Sequence, residues 1–274
     1  VQGVYKYSAD GTPLWAREDV RMSESAVIMG DTLIGMMMSR AVMYALDLDS
    51  GRTRWSRKVG LSTGYAGDMV EGRNGVIVAA VEAASPYTIT GTPSLRVVGV
   101  NASNGDKLWS YTPDCGLWNI MALFPDKDTT VFMDCCGGLY RLNLHSGIEI
   151  WRRPGNPKSW TDGGNILGTD GSVYTCSNGL ESLWSKSHSG RLRKYRVEDG
   201  LLIWEVVLEN PCMNFPAVSS DGKTVIISDG TNTIFPPMKQ MRFKPLPEIE
   251  AAWAFQQALL RNKTQMRYYG YPDL

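Results

Sequence analysis

Tyr44-Ala-Leu-Asp-Leu-Asp-Ser-Gly-Arg-Thr-Arg-Trp55 decides the fold, because its pattern returns along the whole chain. Val4–Trp15 (VYKYSADGTPLW), Val98–Trp109 (VGVNASNGDKLW) and Tyr140–Trp151 (YRLNLHSGIEIW) align with it without a gap. Tyr195–Trp204 (YRVEDGLLIW) aligns with two residues fewer. The Trp-to-Trp spacings are 40, 54, 42 and 53 residues, so one basic unit recurs with an insertion in alternate copies. A fixed period of this length marks a repeat architecture.

Each part of the unit has a physical reason. Tyr44, Leu46 and Leu48 recur at every second position, as in a strand with one buried face. Asp49-Ser50-Gly51, Ser103-Asn104-Gly105 and His145-Ser146-Gly147 then read as tight turns. Asp, Asn and Ser bond their own backbone there, and Gly takes a positive φ without a steric penalty. A further strand follows and carries the Trp. Short β runs precede the unit at Ala26–Ile28, Thr32–Met37, Val76–Val81, Ile120–Phe124, Thr130–Met133, Asn165–Leu167 and Ser172–Cys176. Four short strands per unit form a blade, so the chain is predicted to be an all-β propeller of about five four-stranded blades over residues 1–235. Phe215–Ser219 and Thr224–Ser228 read as the first two strands of a last blade, which the N-terminal strands are expected to complete.

Ala45-Leu-Asp47-Leu-Asp49-Ser-Gly51-Arg-Thr-Arg-Trp55 resembles the tryptophan-docking motif of quinoprotein-type propellers, which reads Ala-x-Asp-x-x-Thr-Gly-x-x-x-Trp. The resemblance covers roughly residues 1–235 and draws its specificity from five-fold recurrence. It implies that Trp15, Trp55, Trp109, Trp151 and Trp204 pack between neighbouring blades with each indole N–H on a backbone partner. No Trp-Asp dipeptide closes a strand and no Gly-His opens a repeat, so a WD-repeat propeller is set aside.

The totals narrow the function. Lys+Arg and Asp+Glu are both 28, giving zero formal net charge and no basic field for nucleic acid. There is no apolar run of roughly 18 residues for a transmembrane helix. The chain opens at Val1 with strand-like residues and shows no signal or transit segment. Cys115, Cys135, Cys136, Cys176 and Cys212 are odd in number and irregular in spacing, which reads against a disulfide framework. His145 and His188 lie far apart, so a zinc site is not expected.

The repeat leaves three things unexplained. Insertions 82–94 (with Glu82 and Ser94 at its ends) and 178–190 (containing Trp184) fall between the second and third strands of alternate blades, so both should project from one face. Loops on one face of a rigid scaffold commonly bind partners. Residues 236–274 form a tail with an amphipathic helix expected near 248–262, led by Pro247 and carrying Ile249, Trp253 and Leu260 on one face. Trp253, Phe255, Tyr268, Tyr269 and Tyr271 supply the aromatic anchors favoured at interfaces.

Quinoprotein relatives also imply an enzymatic alternative. In their alcohol-oxidising members a vicinal disulfide covers pyrroloquinoline quinone, beside Ca²⁺ and a catalytic Asp. Cys135-Cys136 invites that reading, but it falls in a hairpin ahead of the Gly137-Gly138 turn, and no matching Ca²⁺-ligand cluster follows. Asp134 reads as a turn cap. The reading is therefore a non-catalytic scaffold or accessory subunit without cofactor or catalytic residues, binding protein partners through its insertions and tail. Its alternatives are a quinone-dependent dehydrogenase and a ligand-sensing propeller. The resemblance extends to the bacterial outer-membrane assembly lipoprotein, and its relatives imply an extracytoplasmic or organelle-lumen location.

Overall fold

The repeat folds as successive antiparallel sheets in a computed structural model. It describes residues 3–22, 25–37, 40–61, 70–83, 94–117, 122–157, 159–161, 164–179, 190–208, 210–212 and 215–227. The expected tail helix, Trp253, Phe255, Tyr268, Tyr269 and Tyr271 lie outside the described residues, as do Trp184, His188 and most of both insertions.

The first complete blade runs β3 (Ala26–Met29), β4 (Thr32–Met37), β5 (Val42–Asp47) and β6 (Thr53–Lys58), hydrogen-bonded in that order. The second is β7 (Val70–Arg73), β8 (Val76–Ala83), β9 (Ser94–Asn101) and β10 (Lys107–Tyr111). The third has β11 (Thr129–Met133), β12 (Leu139–Asn143) and β13 (Glu149–Arg153). A bridge from Leu123 to Val131 stands where its first strand is expected. In the fourth, β14 (Ser159–Trp160) and β15 (Asn165–Leu167) both pair with β16 (Ser172–Gly179), followed by β17 (Gly190–Arg196) and β18 (Leu202–Val207).

Two half-blades flank these four. Among the described residues, β1 (Val4–Tyr7) pairs only with β2 (Pro13–Arg17), and β19 (Ala217–Val218) only with β20 (Val225–Ile226). The expected joining of N-terminal strands to the last blade is thus not made among the described residues. Each half-blade is anchored to a different complete blade instead. Trp15 and Arg17 on β2 bond Leu48 and Gly51 beyond β5, whereas the Thr169 hydroxyl ahead of β16 donates to Ser219 O beside β19.

The cores lie between blades, and strand periodicity makes them. On β8, Ile77, Ala79 and Val81 pack toward the first blade with Ile34, Met36 and Met43. The intervening Val76, Val78 and Ala80 pack toward the third with Phe132, Tyr140 and Leu142. β11 repeats this division: Phe132 faces back, while Val131 and Met133 face Val173 of the fourth blade. Alternation on a pleated strand thus serves two cores at once. This explains why the inner strands are apolar throughout, as on any sheet buried on both faces.

Candidate partner-binding faces

A four-stranded antiparallel blade has two ends. The turns joining first to second and third to fourth strands share one end, and the hairpins joining second to third strands share the other.

At the first end, every described blade junction is built the same way. The indole N–H of Trp15 donates to Leu48 O (3.0 Å), Trp55 to Ala102 O (3.0 Å), Trp109 to Leu144 O (2.7 Å) and Trp151 to Val197 O (2.8 Å). Each acceptor stands seven residues before the next repeat Trp. The ring also lies flat on the turn glycine of the next blade. At Gly147 φ is +68°, and an added Cβ would come within 2.7 Å of the Trp109 ring. Gly51, Gly105 and Gly200 meet Trp15, Trp55 and Trp151 alike. The side chain at the end of the third strand shapes the turn: Asp47, Asn101 and Asn143 each accept from the backbone N–H and hydroxyl of a turn serine. Trp204 meets Tyr174 edge-on at 5.9 Å, and the residues after 227 lie outside the described part.

A groove of about 730 Å³ opens at this end, lined by Asp31, Arg54, Trp55, Asn74, Ser103 and His145 among others. Its principal charge is committed, since Arg54 reaches Asp31 and Asp47 at 2.6 Å. These pairs hold the Asp47 carboxyl below its usual range, with the Ser50 contacts adding to the effect. His145 reaches the Asn74 amide at 3.3 Å and Asp128 at 3.8 Å.

The second end is different. Register places the insertions at equivalent hairpins: Ala83 pairs with Ser94 at one base, and Asn178 with Gly190 at the other. The blades between and beside them have short hairpins there, so long and short hairpins alternate along this face.

Beside the second insertion, Cys176 of β16 is disulfide-bonded to Cys212, with Cα atoms 5.9 Å apart. The Asn178 amide grips the same segment, accepting from Cys212 N–H (2.6 Å) and donating to Cys212 O (3.0 Å). Between the insertions, the third-blade hairpin forms a floor. Cys136 is bonded to Cys115 in the crossover from the second blade, and Cys135 keeps its thiol beside them. The floor continues into the fourth blade, because Asn156 N–H donates to Cys136 O (3.0 Å) and Thr161 N–H to Cys135 O (2.9 Å). The expectation of no disulfide framework is therefore corrected. Odd number hid two pairs, and the pairing follows blade geometry rather than sequence spacing. A usable signal existed: Cys115 and Cys212 lie six and eight residues past Trp109 and Trp204, in crossovers that return to this face.

Asp134 organises the floor. It is fully buried and accepts from the backbone N–H of Cys115 (3.1 Å), Cys136 (3.0 Å) and Gly138 (2.7 Å), and from the Tyr140 hydroxyl (2.7 Å). The Tyr140 oxygen in turn accepts from Asp114 N–H at 2.8 Å. Burial outweighs these four donors and raises the carboxyl to about 6. Burial also raises the Tyr140 phenol, with the Asp134 charge adding to it. Asp134 caps the turn, and it also ties the crossover to the hairpin.

The sulfurs do not form the arrangement that covers a quinone in the resembling enzymes. The disulfide joins Cys115 to Cys136, not adjacent cysteines, and all three residues are 1–3% exposed.

Residues 2–116 match the family described as outer membrane protein assembly factor BamB. BamB from Moraxella catarrhalis superposes with a TM-score of 0.50 at 15% identity, covering 75% of this chain and 67% of that one. A europium-containing methanol dehydrogenase gives 0.53 at 11% identity, covering 78% and 60%. The WD40 β-propeller domain of Doa1 gives 0.50 at 10% identity, covering 82% and 68%. The chain spans 60 to 68% of these three proteins' lengths, and the likeness establishes the propeller fold. No curated protein matches the chain.

Proposed function

From a quinoprotein-like repeat propeller that resembles the outer-membrane assembly factor family over residues 2–116, we propose a non-catalytic scaffold or accessory subunit of a larger protein assembly. One observation carries this reading. The topology sets the bases of both insertions on one face, astride a floor tied together by two disulfides and the Asp134 hydrogen bonds. A rigid base spares bound loops part of the ordering cost of association. The insertions and the tail with Trp253, Phe255 and the three tyrosines are the proposed contacts. The disulfides support an extracytoplasmic compartment, where such bonds persist.

The test is co-purification from the native source on a sizing column. Replacing 84–93 and 180–189 by short Gly-Ser turns should release the chain from its complex while preserving its β circular dichroism. If the trimmed chain still co-migrates, the insertions are not the contact. Stoichiometric binding of pyrroloquinoline quinone with Ca²⁺, followed by dye reduction with an alcohol, would overturn the scaffold reading.

A further inference from the structure

The sulfur atoms of Cys115, Cys135 and Cys136 all lie within 4.8 Å of one another, in side chains 3%, 1% and 1% exposed. Two are joined and the third is a thiol. A thiol held beside a disulfide needs no external oxidant or reductant to change the pairing, because attack of a thiolate on a disulfide sulfur is an exchange. We propose that these three residues form an intramolecular thiol–disulfide exchange centre, in which the staple of the floor alternates between Cys115–Cys136 and Cys115–Cys135.

The geometry selects the product. Adjacent Cα atoms are separated by about 3.8 Å, below the roughly 4.4–6.8 Å that disulfides prefer, so a Cys135–Cys136 bond is disfavoured. Cys135 N–H donates to Gly116 O at 2.8 Å, which holds Cys135 alongside the crossover that carries Cys115. Attack therefore falls on Cys115 Sγ. The Cys135 thiolate supplies the electron pair of the new S–S bond, and the pair of the broken bond leaves on Cys136 Sγ. The proton given up by Cys135 ends on Cys136. One disulfide and one thiol stand on each side, with no net oxidation.

Two consequences follow. The crossover remains tied to the hairpin in both states, but the tie moves by one residue, on the face that lies between the two insertions. The thiolate is the attacking species, so exchange quickens as pH rises. This step is independent of partner binding.

The full chain is incubated folded at about pH 6 and about pH 8.5, quenched in acid, then alkylated with N-ethylmaleimide in acidic denaturant. Digestion without reduction and fragmentation between Cys135 and Cys136 identifies which one carries the label. The expected result is label on Cys135 alone at first, with a Cys136-labelled fraction that grows several-fold faster at the higher pH. Label confined to Cys135 at both pH values would overturn the proposal. A second variant guards against misfolding artefacts. Cys136→Ser, oxidised in a glutathione buffer, should form Cys115–Cys135 and melt near the wild type. Recovery of two alkylatable thiols in a folded Cys136→Ser protein would also overturn it.

Discussion

The two ends of the blades are built on opposite plans. At one end the same three parts recur at four junctions: an indole, a carbonyl seven residues before the next indole, and a glycine under the ring. At the other end the long hairpins alternate, but the contacts beneath them differ from blade to blade. One hairpin carries a disulfide to a crossover from the preceding blade, another strand carries one to the crossover that follows it, and the buried Asp134 carboxylate joins the third-blade hairpin to the crossover before it. Repetition reflects a need every junction shares, which is to exclude water between sheets. Singular features reflect a task that belongs to one place. The difference separates architecture from the candidate binding face without reference to any relative.

Mutations can break this comparison at either end. The largest effect is expected for Trp109→Ala, at the junction where the indole is buried and its bond is shortest. Loss of a buried Trp costs about 3–5 kcal/mol, to be read from urea unfolding. Next comes the double change Cys176→Ser with Cys212→Ser, which opens a loop spanning 36 residues and should cost about 2–4 kcal/mol. Its distinguishing readout is hydrogen exchange, with loss of protection concentrated at the base of the second insertion and the tryptophan junctions unchanged.

Asp134 gives an effect of about 2–3 kcal/mol that depends on pH. Its folded value near 6 lies above the ordinary unfolded carboxylate value, so between roughly pH 4 and 6 the folded chain binds more protons than the unfolded one. Stability from this group is fully present below about pH 4 and is lost as pH rises through about 6. Unfolding curves for wild type and Asp134→Asn across this window should differ in slope. Parallel curves would mean that the four donors cancel the effect of burial, and a slope difference of opposite sign would mean that they outweigh it.

Gly147→Ala should cost about 2 kcal/mol, combining positive-φ strain with displacement of the Trp109 ring. The smallest change is expected for Trp15→Ala, about 1–2 kcal/mol, because β1–β2 is a half-blade and the ring is only partly buried. Should Trp15→Ala match Trp109→Ala, the junctions are energetically equal and the half-blade is as firmly held as the interior ones.

The repetitive end is legible in the sequence because its parts are local. Tyr44, Asp47, Gly51 and Trp55 lie within twelve residues, and each type has one conformational use there. The insertions are legible as departures from the period. The singular end is not, because its partners meet only after blades stack. Cys115 and Cys136 are 21 residues apart and belong to different structural units. Asp134 reads as an ordinary turn residue until Tyr140 and the Cys115 backbone are brought onto it. The count of five cysteines misled for the same reason, since an odd total looks like disorder in pairing when one thiol simply stands beside a formed bond.

The seven-residue offset between each acceptor carbonyl and the next tryptophan has a consequence for how such chains grow. Donor and acceptor travel in one hairpin, so copying a blade copies half of the junction before it and half of the junction after it. A duplicated or deleted unit leaves matching halves to meet, and blade number can drift without redesign of any interface. The hairpins at the opposite end are then free to diverge, one copy lengthening while its neighbour acquires sulfur.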